Sequence, residues 1–362
     1  MTAQQQPSRH LVLGISSFRL TPEEKAWLGQ INPAGIILFG RNIQDLSQVK
    51  ALIQELQETI TPPPTLWIDQ EGGRVQRLRD PFTRFPSPYQ YTQLFRQSAE
   101  AGLEMAQLGG WVCGQELASI GIGVNCAPVL DIQQNRADPV IGNRAFGSTP
   151  DEVIQLASAW IAGLKASGIM AVGKHFPGHG AAQCDSHKTL PTIEKSLQEM
   201  EEHELLPFKT LAPDLPALMT AHLIAKGLDA AQPATWSAAV LKKLLREQWN
   251  YKGLVVSDAV EMGALTGSTA DRVYRALLAG CDLVLCCTGN LTDNQNAVNG
   301  AIQAVSERDP KEQLDSMERI ESLLTPYQKI ATHSLDGTKY GKAKQQLEKI
   351  ADKKTQTDPT QQ

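Results

Sequence analysis

No stretch of this 362-residue chain comes near the ~18 consecutive apolar residues that a membrane-spanning helix needs. A basic excess is missing too. Lys and Arg number 34 against 39 Asp and Glu, a formal charge of −5, so the electrostatic footprint of a nucleic-acid binder is absent. The six cysteines (Cys113, Cys126, Cys184, Cys281, Cys286 and Cys287) contain no C-x-x-C pair, and in a chain of this length they are expected to be reduced, buried thiols. Internal repeats and a Pro/Gly-rich linker are lacking, which argues against a solenoid or two separate domains. Residues 1–9 are polar and hold no apolar signal core, so the expected location is the cytoplasm. Hydrophobic residues make up 41% and charged residues 20%, the balance of a globular chain whose partners are neither membrane nor nucleic acid, and a monomer is expected.

Short apolar runs closed by Gly, Pro or a polar residue recur at 10–16, 35–39, 65–69, 124–131, 169–175, 216–222, 253–258 and 282–286. Most are continuously apolar, the pattern of parallel strands covered on both faces. Helix-period stretches lie between them at 46–59, 99–120, 151–166, 237–249 and 271–279. No Gly-rich dinucleotide turn follows an early strand, so the alternation predicts an α/β fold with a single (β/α)₈ TIM-type barrel over residues 10–335. The polar stretch 336–362 is expected to be a frayed helix and solvated tail.

Chemistry in such a barrel belongs at the carboxyl ends of the strands. The polar residues that close the runs are Asp69, Asp131, Lys174 with His175, His222 and Asp258. A plain alternative stands beside each of them. For Asp258 it is a capping box with Glu261, three residues on. The densest segment runs from Gly173-Lys174-His175-Phe176-Pro177-Gly178-His179-Gly180 to Asp185-Ser186-His187. Three chemistries compete for it. Gly168, four residues, then Gly173-Lys174 imitates a phosphate loop, but the next residue is His175, and the intervening residues are the strand itself. His175 and His179 suggest a metal, yet Pro177 and Gly178 between them prevent one helix face from presenting both. Asp185 and His187, two apart, suit an imidazole oriented by a carboxylate for proton transfer, the alternative being an Asx turn beside an exposed histidine.

These residues, with Asp69-Gln70-Glu71-Gly72-Gly73-Arg74-Val75, Pro139-Val140-Ile141-Gly142-Asn143-Arg144-Ala145-Phe146-Gly147 and Val255-Val256-Ser257-Asp258-Ala259-Val260-Glu261-Met262, resemble four ordered blocks of glycoside hydrolase family 3. More narrowly, the chain is similar to single-domain bacterial β-N-acetylglucosaminidases of peptidoglycan recycling, over about residues 10–330. The resemblance implies a retaining hydrolase with Asp258 as nucleophile, His187 as acid/base and Asp185 orienting it. It further implies sugar contacts from Asp69, Arg77, Arg144, Lys174 and His175, and no metal or organic cofactor. The implied activity is exo-cleavage of a terminal N-acetylglucosamine from muropeptide fragments.

Two positions depart from the family pattern. Ala181 stands where an Asp commonly follows Gly-His-Gly, and Ala259 stands where many relatives carry a second Asp after the nucleophile. A β-glucosidase of the same family, a non-catalytic sugar-binding barrel and a metal hydrolase are the rival readings.

Overall fold

The structure is a computed structural model and describes residues 6–134, 140–182, 189–335 and 337–353. Eight parallel strands close into a barrel: β1 (Leu11–Gly14), β2 (Gly35–Leu38), β3 (Thr65–Ile68), β4 (Val124–Asn125), β5 (Met170–Phe176), β6 (Ala217–Thr220), β7 (Leu254–Ala259) and β8 (Leu283–Cys286). Each pairs with its neighbours in sequence, and β8 closes onto β1 with Leu11 opposite Val284. All eight occupy the apolar windows read from the sequence. Helices such as Leu46–Thr59, Ala99–Ile120 and Pro150–Ala166 cover the outside, so both faces of every strand are packed.

Alternation along the strands sorts the core into two sets. Trp67, Val172, Met219 and Val256 belong to the cluster inside the barrel, while Leu66, Ala171, Leu218 and Val255 belong to the larger cluster under the helices. Two steps further along the inward rows stand Asp69 after Trp67, Lys174 after Val172 and Asp258 after Val256. The inward row thus turns from apolar to charged at the carboxyl ends. At the opposite end, helix Pro310–Leu324 packs Met317, Ile320 and Leu324 against the inner cluster. One end is an apolar plug and the other a polar mouth.

Two strands slip register at that mouth. On β5, Gly173 faces Leu218 but Phe176 faces Thr220; on β7, Val256 faces Leu283 but Ala259 faces Leu285. Each slip sets one extra residue against its partner, a β-bulge that re-aims side chains. The bulged residues are Lys174 and His175 on one strand, and Ser257 and Asp258 on the other.

The plugged end is held by polar ties. Asp282, fully buried, accepts from Arg246 Nη2 (2.5 Å), Arg319 Nη2 (2.9 Å), Ser316 Oγ (2.7 Å) and the Val255 amide (2.9 Å). Its carbonyl lies 2.8 Å from His10 Nδ1, and Gln313 Nε2 lies 2.8 Å from His10 Nε2. Burial, with the Arg308 guanidinium nearby, holds the His10 pKa down at about 4.

The segment read as a frayed tail departs from that expectation. Thr338–Ala351 is a helix with Ala343 and Leu347 buried, because its apolar face packs on helix Ala99–Ile120. Tyr340 Oη donates to the buried Glu116 carboxylate at 2.7 Å, Lys344 Nζ to the Pro81 carbonyl at 2.5 Å, and Gln90 Nε2 to the Ile350 carbonyl at 2.7 Å. This helix therefore backs the 70–90 segment, which reaches the polar mouth.

Tyr340→Phe should cost about 1–3 kcal/mol in urea unfolding, because it strips a donor from a buried carboxyl. His10 binds a proton in the unfolded chain near its usual pKa of 6.5 and in the folded chain only near 4. Its stabilising contribution is therefore complete above pH 6.5 and declines by at most about 3 kcal/mol as pH falls to 4. Unfolding of His10→Gln across that window should show a correspondingly flatter pH dependence.

Candidate active site

The polar mouth opens into a cavity of about 710 Å³, lined by residues from β2, β5, β6, β7 and β8 and by the segments that follow β2, β3, β4, β5, β7 and β8. Ile37, Met219 and Leu285 form its apolar floor, the top of the inner core.

Above the floor, four charged side chains form one ion cluster. Lys174 Nζ lies 2.7 Å from Asp69 Oδ1 and 2.6 Å from Glu71 Oε1. Arg144 grips Glu71 bidentately, with Nε and Nη2 each 2.8 Å from a carboxylate oxygen. Arg77 Nη2 adds a contact to Asp69 at 3.1 Å. Burial pushes the Asp69 and Glu71 carboxyls up, but the adjacent cations outweigh it and hold both below their ordinary pKa. Burial likewise depresses Lys174, yet its two carboxylates raise it above the usual lysine value. Asp69, Glu71, Arg144 and Lys174 are therefore ionised at neutral pH.

The loop after β3 is held by two buried glutamines. Gln70 Oε1 accepts from the Arg77 and Leu78 amides (2.8 and 3.1 Å), and Gln76 Nε2 donates to the Leu78 and Thr83 carbonyls (2.8 and 2.6 Å). Gly72 has φ +101°, and a Cβ there would lie 2.4 Å from the Pro86 carbonyl, so the tight return needs glycine. Arg74 and Arg77 ride on this return.

His175 is fixed by Asp131. Nδ1 lies 2.6 Å from Asp131 Oδ2, and the amides of His175 and His179 also donate to that fully buried carboxylate. Nδ1 therefore carries the proton, and Nε2 faces Arg144 Nη2 at 3.4 Å as an acceptor. Strict alternation would turn either Lys174 or His175 away from the cavity. The β5 bulge lets both line it.

Asp258 lines the opposite wall, on the β7 bulge. Its Oδ1 accepts from the Ala259 amide at 2.7 Å, and among the described residues no cation pairs with it. The capping-box alternative fails. The next helix starts at Thr269 under a Ser268 and Asp271 box, while both Glu261 oxygens take the Cys287 amide instead (3.0 and 3.1 Å). Burial, with Asp258 close by, raises the Glu261 pKa.

Of the residues singled out in the sequence, Asp69, Arg77, Arg144, Lys174, His175 and Asp258 are brought to one cavity. Asp185 and His187 lie outside the described residues. The Gly168 to Lys174 pattern is a turn followed by strand β5, not a loop around a phosphate. Three cavity-lining residues had no role assigned from the sequence: Glu71, inside a quoted motif; Cys287; and Arg41; Glu261, read only as a capping-box partner, lines the cavity as well. Arg41 stacks on Phe39 with its guanidinium carbon 4.8 Å from the ring centroid, and Nε donates to the Ile15 carbonyl at 3.0 Å. A lone Arg after an apolar run reads as surface until the barrel closes.

Residues 9–323 match the glycosyl hydrolase family 3 N terminal domain. A beta-hexosaminidase from Alkalilimnicola ehrlichii is 38% identical over 303 residues, 83% of this chain and 85% of that one. Among solved structures, NagZ from Neisseria gonorrhoeae in complex with N-trifluoroacetyl-D-glucosamine superposes with a TM-score of 0.82 at 33% identity, covering 94% of this chain and 98% of that one. A family 3 beta-N-acetylglucosaminidase from Paenibacillus sp. str. FPU-7 superposes at 0.88 with 29% identity, covering 97% of this chain and 69% of that one.

Replacing Glu71 by Gln leaves Arg144 and half of Lys174's charge uncompensated in a buried setting. The variant should lose about 3 kcal/mol or more in chemical denaturation. A loss below ~1 kcal/mol, the worth of an exposed pair, would show that the cluster does not hold the mouth together.

Proposed function

We propose a function from one premise: the chain belongs to glycosyl hydrolase family 3 and is a glycoside hydrolase. The reading is a retaining exo-β-N-acetylhexosaminidase that releases a terminal N-acetylglucosamine from muropeptide fragments, acting as a monomer in the cytoplasm. The observation that carries it is the division of the cavity. A buried cluster of alternating carboxylates and cations faces the β7 wall, where Asp258 has no paired cation among the described residues.

A pyranose ring suits that cluster. Each hydroxyl donates one hydrogen bond and accepts others, so adjacent hydroxyls can give to Asp69 and Glu71 while accepting from Lys174, Arg77 and Arg144. His175, with Nδ1–H held on Asp131, offers Nε2 as a further acceptor. The cavity floor is closed, which favours a chain end over a chain interior. Buried, free thiols at Cys113, Cys126, Cys281, Cys286 and Cys287 are compatible with a reducing compartment.

In this reading the Asp258 carboxylate attacks the anomeric carbon as the glycosidic C–O bond breaks, and His187, oriented by Asp185, gives its proton to the departing oxygen. The product is a glycosyl ester on Asp258. Water then attacks the same carbon, His187 takes the water's proton, and the ester bond to Asp258 breaks. A histidine donor departs from the commoner pair of carboxylic acids.

Incubation with a 5-fluoro glycoside of N-acetylglucosamine, followed by peptide mass analysis, should place the label on Asp258. A label elsewhere would overturn the nucleophile assignment. Asp258→Ala should lower turnover roughly 10⁴-fold or more, the scale of nucleophile deletions. Aryl N-acetylglucosaminides should be cleaved and aryl glucosides not, and the reverse preference would favour the β-glucosidase reading.

A further inference from the structure

His222 follows β6 and lines no part of the cavity, yet it is fully buried directly behind the strand that carries Asp258. Its Nε2 lies 2.9 Å from the Ala259 carbonyl, and its Nδ1 lies 2.7 Å from Thr235 Oγ1. A carbonyl only accepts, so Nε2 carries the proton. Burial lowers the His222 pKa despite the opposing charge of Asp258, so the ring is neutral and Nδ1 is an acceptor. The single Thr235 hydroxyl proton has two acceptors in reach, Nδ1 at 2.7 Å and the Ala221 carbonyl at 3.1 Å; the shorter contact, to a ring nitrogen that has no proton of its own, takes it, and Thr235 accepts from Thr220 Oγ1 at 2.8 Å. Thr220, Thr235 and His222 are all fully buried, and the chain of donors runs one way, ending on the Ala259 peptide.

The main chain around Ala259 matters because the sheet ties it on one side, where the Val260 amide donates to the Leu285 carbonyl at 3.0 Å. Pairing between β6 and β7 stops at Thr220 opposite Ser257, and the β7 bulge interrupts the ladder to β8. Two side chains add to that backbone bond. Ser257 Oγ accepts from the Leu285 amide at 3.1 Å and donates to the Asp258 carbonyl at 2.7 Å. His222 holds the far side, through the Ala259 carbonyl. The Ala259 amide in turn donates to Asp258 Oδ1, which leaves Oδ2 with no protein donor among the described residues.

We propose that His222, kept as the Nε2–H tautomer by Thr235, is a positioning residue that holds the 259–260 peptide by its carbonyl and so, through the Ala259 Cα, sets the preceding peptide, whose Ala259 amide occupies Asp258 Oδ1 and leaves Oδ2 as the oxygen presented to the anomeric carbon. The inference rests on Asp258 being the nucleophile. A small change in the backbone dihedrals at Ala259 would shift its amide and move the attacking oxygen out of line, and misplacement on the scale of 1 Å lowers rates about 10²-fold.

The test compares His222→Leu, His222→Gln and Thr235→Val with the wild type, each checked for folding by thermal melting. Steady-state kcat and KM are measured on an aryl N-acetylglucosaminide, together with the rate at which the 5-fluoro glycoside labels Asp258. His222→Leu should lose about 10²-fold in kcat and in labelling rate, with KM within about twofold. His222→Gln, whose amide can still donate to the Ala259 carbonyl, should recover to within about tenfold of wild type. Thr235→Val should fall between them.

Equal losses in the Leu and Gln variants, or a rise in KM with kcat unchanged, would overturn the positioning role. If His222→Leu does not fold, a wild-type kcat in Thr235→Val does the same. Failure of the nucleophile reading is distinguishable, because wild-type Asp258 would then carry no label at all.

Discussion

The inside of an eight-stranded barrel is only wide enough for its own side chains to fill, so the inward rows must be apolar wherever they are stacked in layers. That constraint ends at the last layer. Trp67, Val172 and Val256 occupy the packed interior, and the next inward positions, Asp69, Lys174 and Asp258, have space instead of a further apolar layer above them. The same two-residue period therefore builds both the core and the site. What changes is the neighbour, not the geometry of the strand.

Charges placed at that boundary are half in a low-dielectric core, where an unpaired one is costly. The chain answers differently on its two walls. On the β3 to β5 side, Asp69, Glu71, Arg77, Arg144 and Lys174 neutralise one another, and each group keeps some capacity for a further hydrogen bond. On the β7 side, Asp258 receives one backbone amide and no described cation. A compensated cluster suits holding a neutral polyol in place. A carboxylate without a paired cation retains the electron density that bond formation requires.

Much of this was legible in the sequence, for a reason particular residues make plain. The eight windows stand out because buried parallel strands are continuously apolar, and Asp69, Lys174, His175 and Asp258 stand out because they end such windows. Arg77 and Arg144 came from the family resemblance alone. Glu71 sat in view without a role, since its bidentate grip on Arg144 joins positions 73 residues apart. The bulges were invisible because Gly173–Phe176 and Val256–Ala259 have no composition that marks an extra residue, and register is a property of pairs of strands. The docking of the final helix is not legible because its polar face dominates its composition, while Ala343 and Leu347 make too narrow an apolar stripe to announce it.

Ala259 shows how backbone and side chain divide the work at this site. The family pattern offers a second carboxylate there, and this chain has a methyl group. Strand β7 uses residue 259 through its main chain: the amide donates to Asp258 Oδ1, the carbonyl accepts from His222 Nε2, and the residue pairs with Leu285 across the bulge. Any amino acid other than proline supplies those groups. Losing the side-chain carboxylate therefore removes no bond that positions Asp258. It also removes a like charge that would have stood beside Asp258, where the buried Glu261 already raises the local density of carboxyls. The departure from the pattern falls at a position whose contribution to this architecture is made by the main chain.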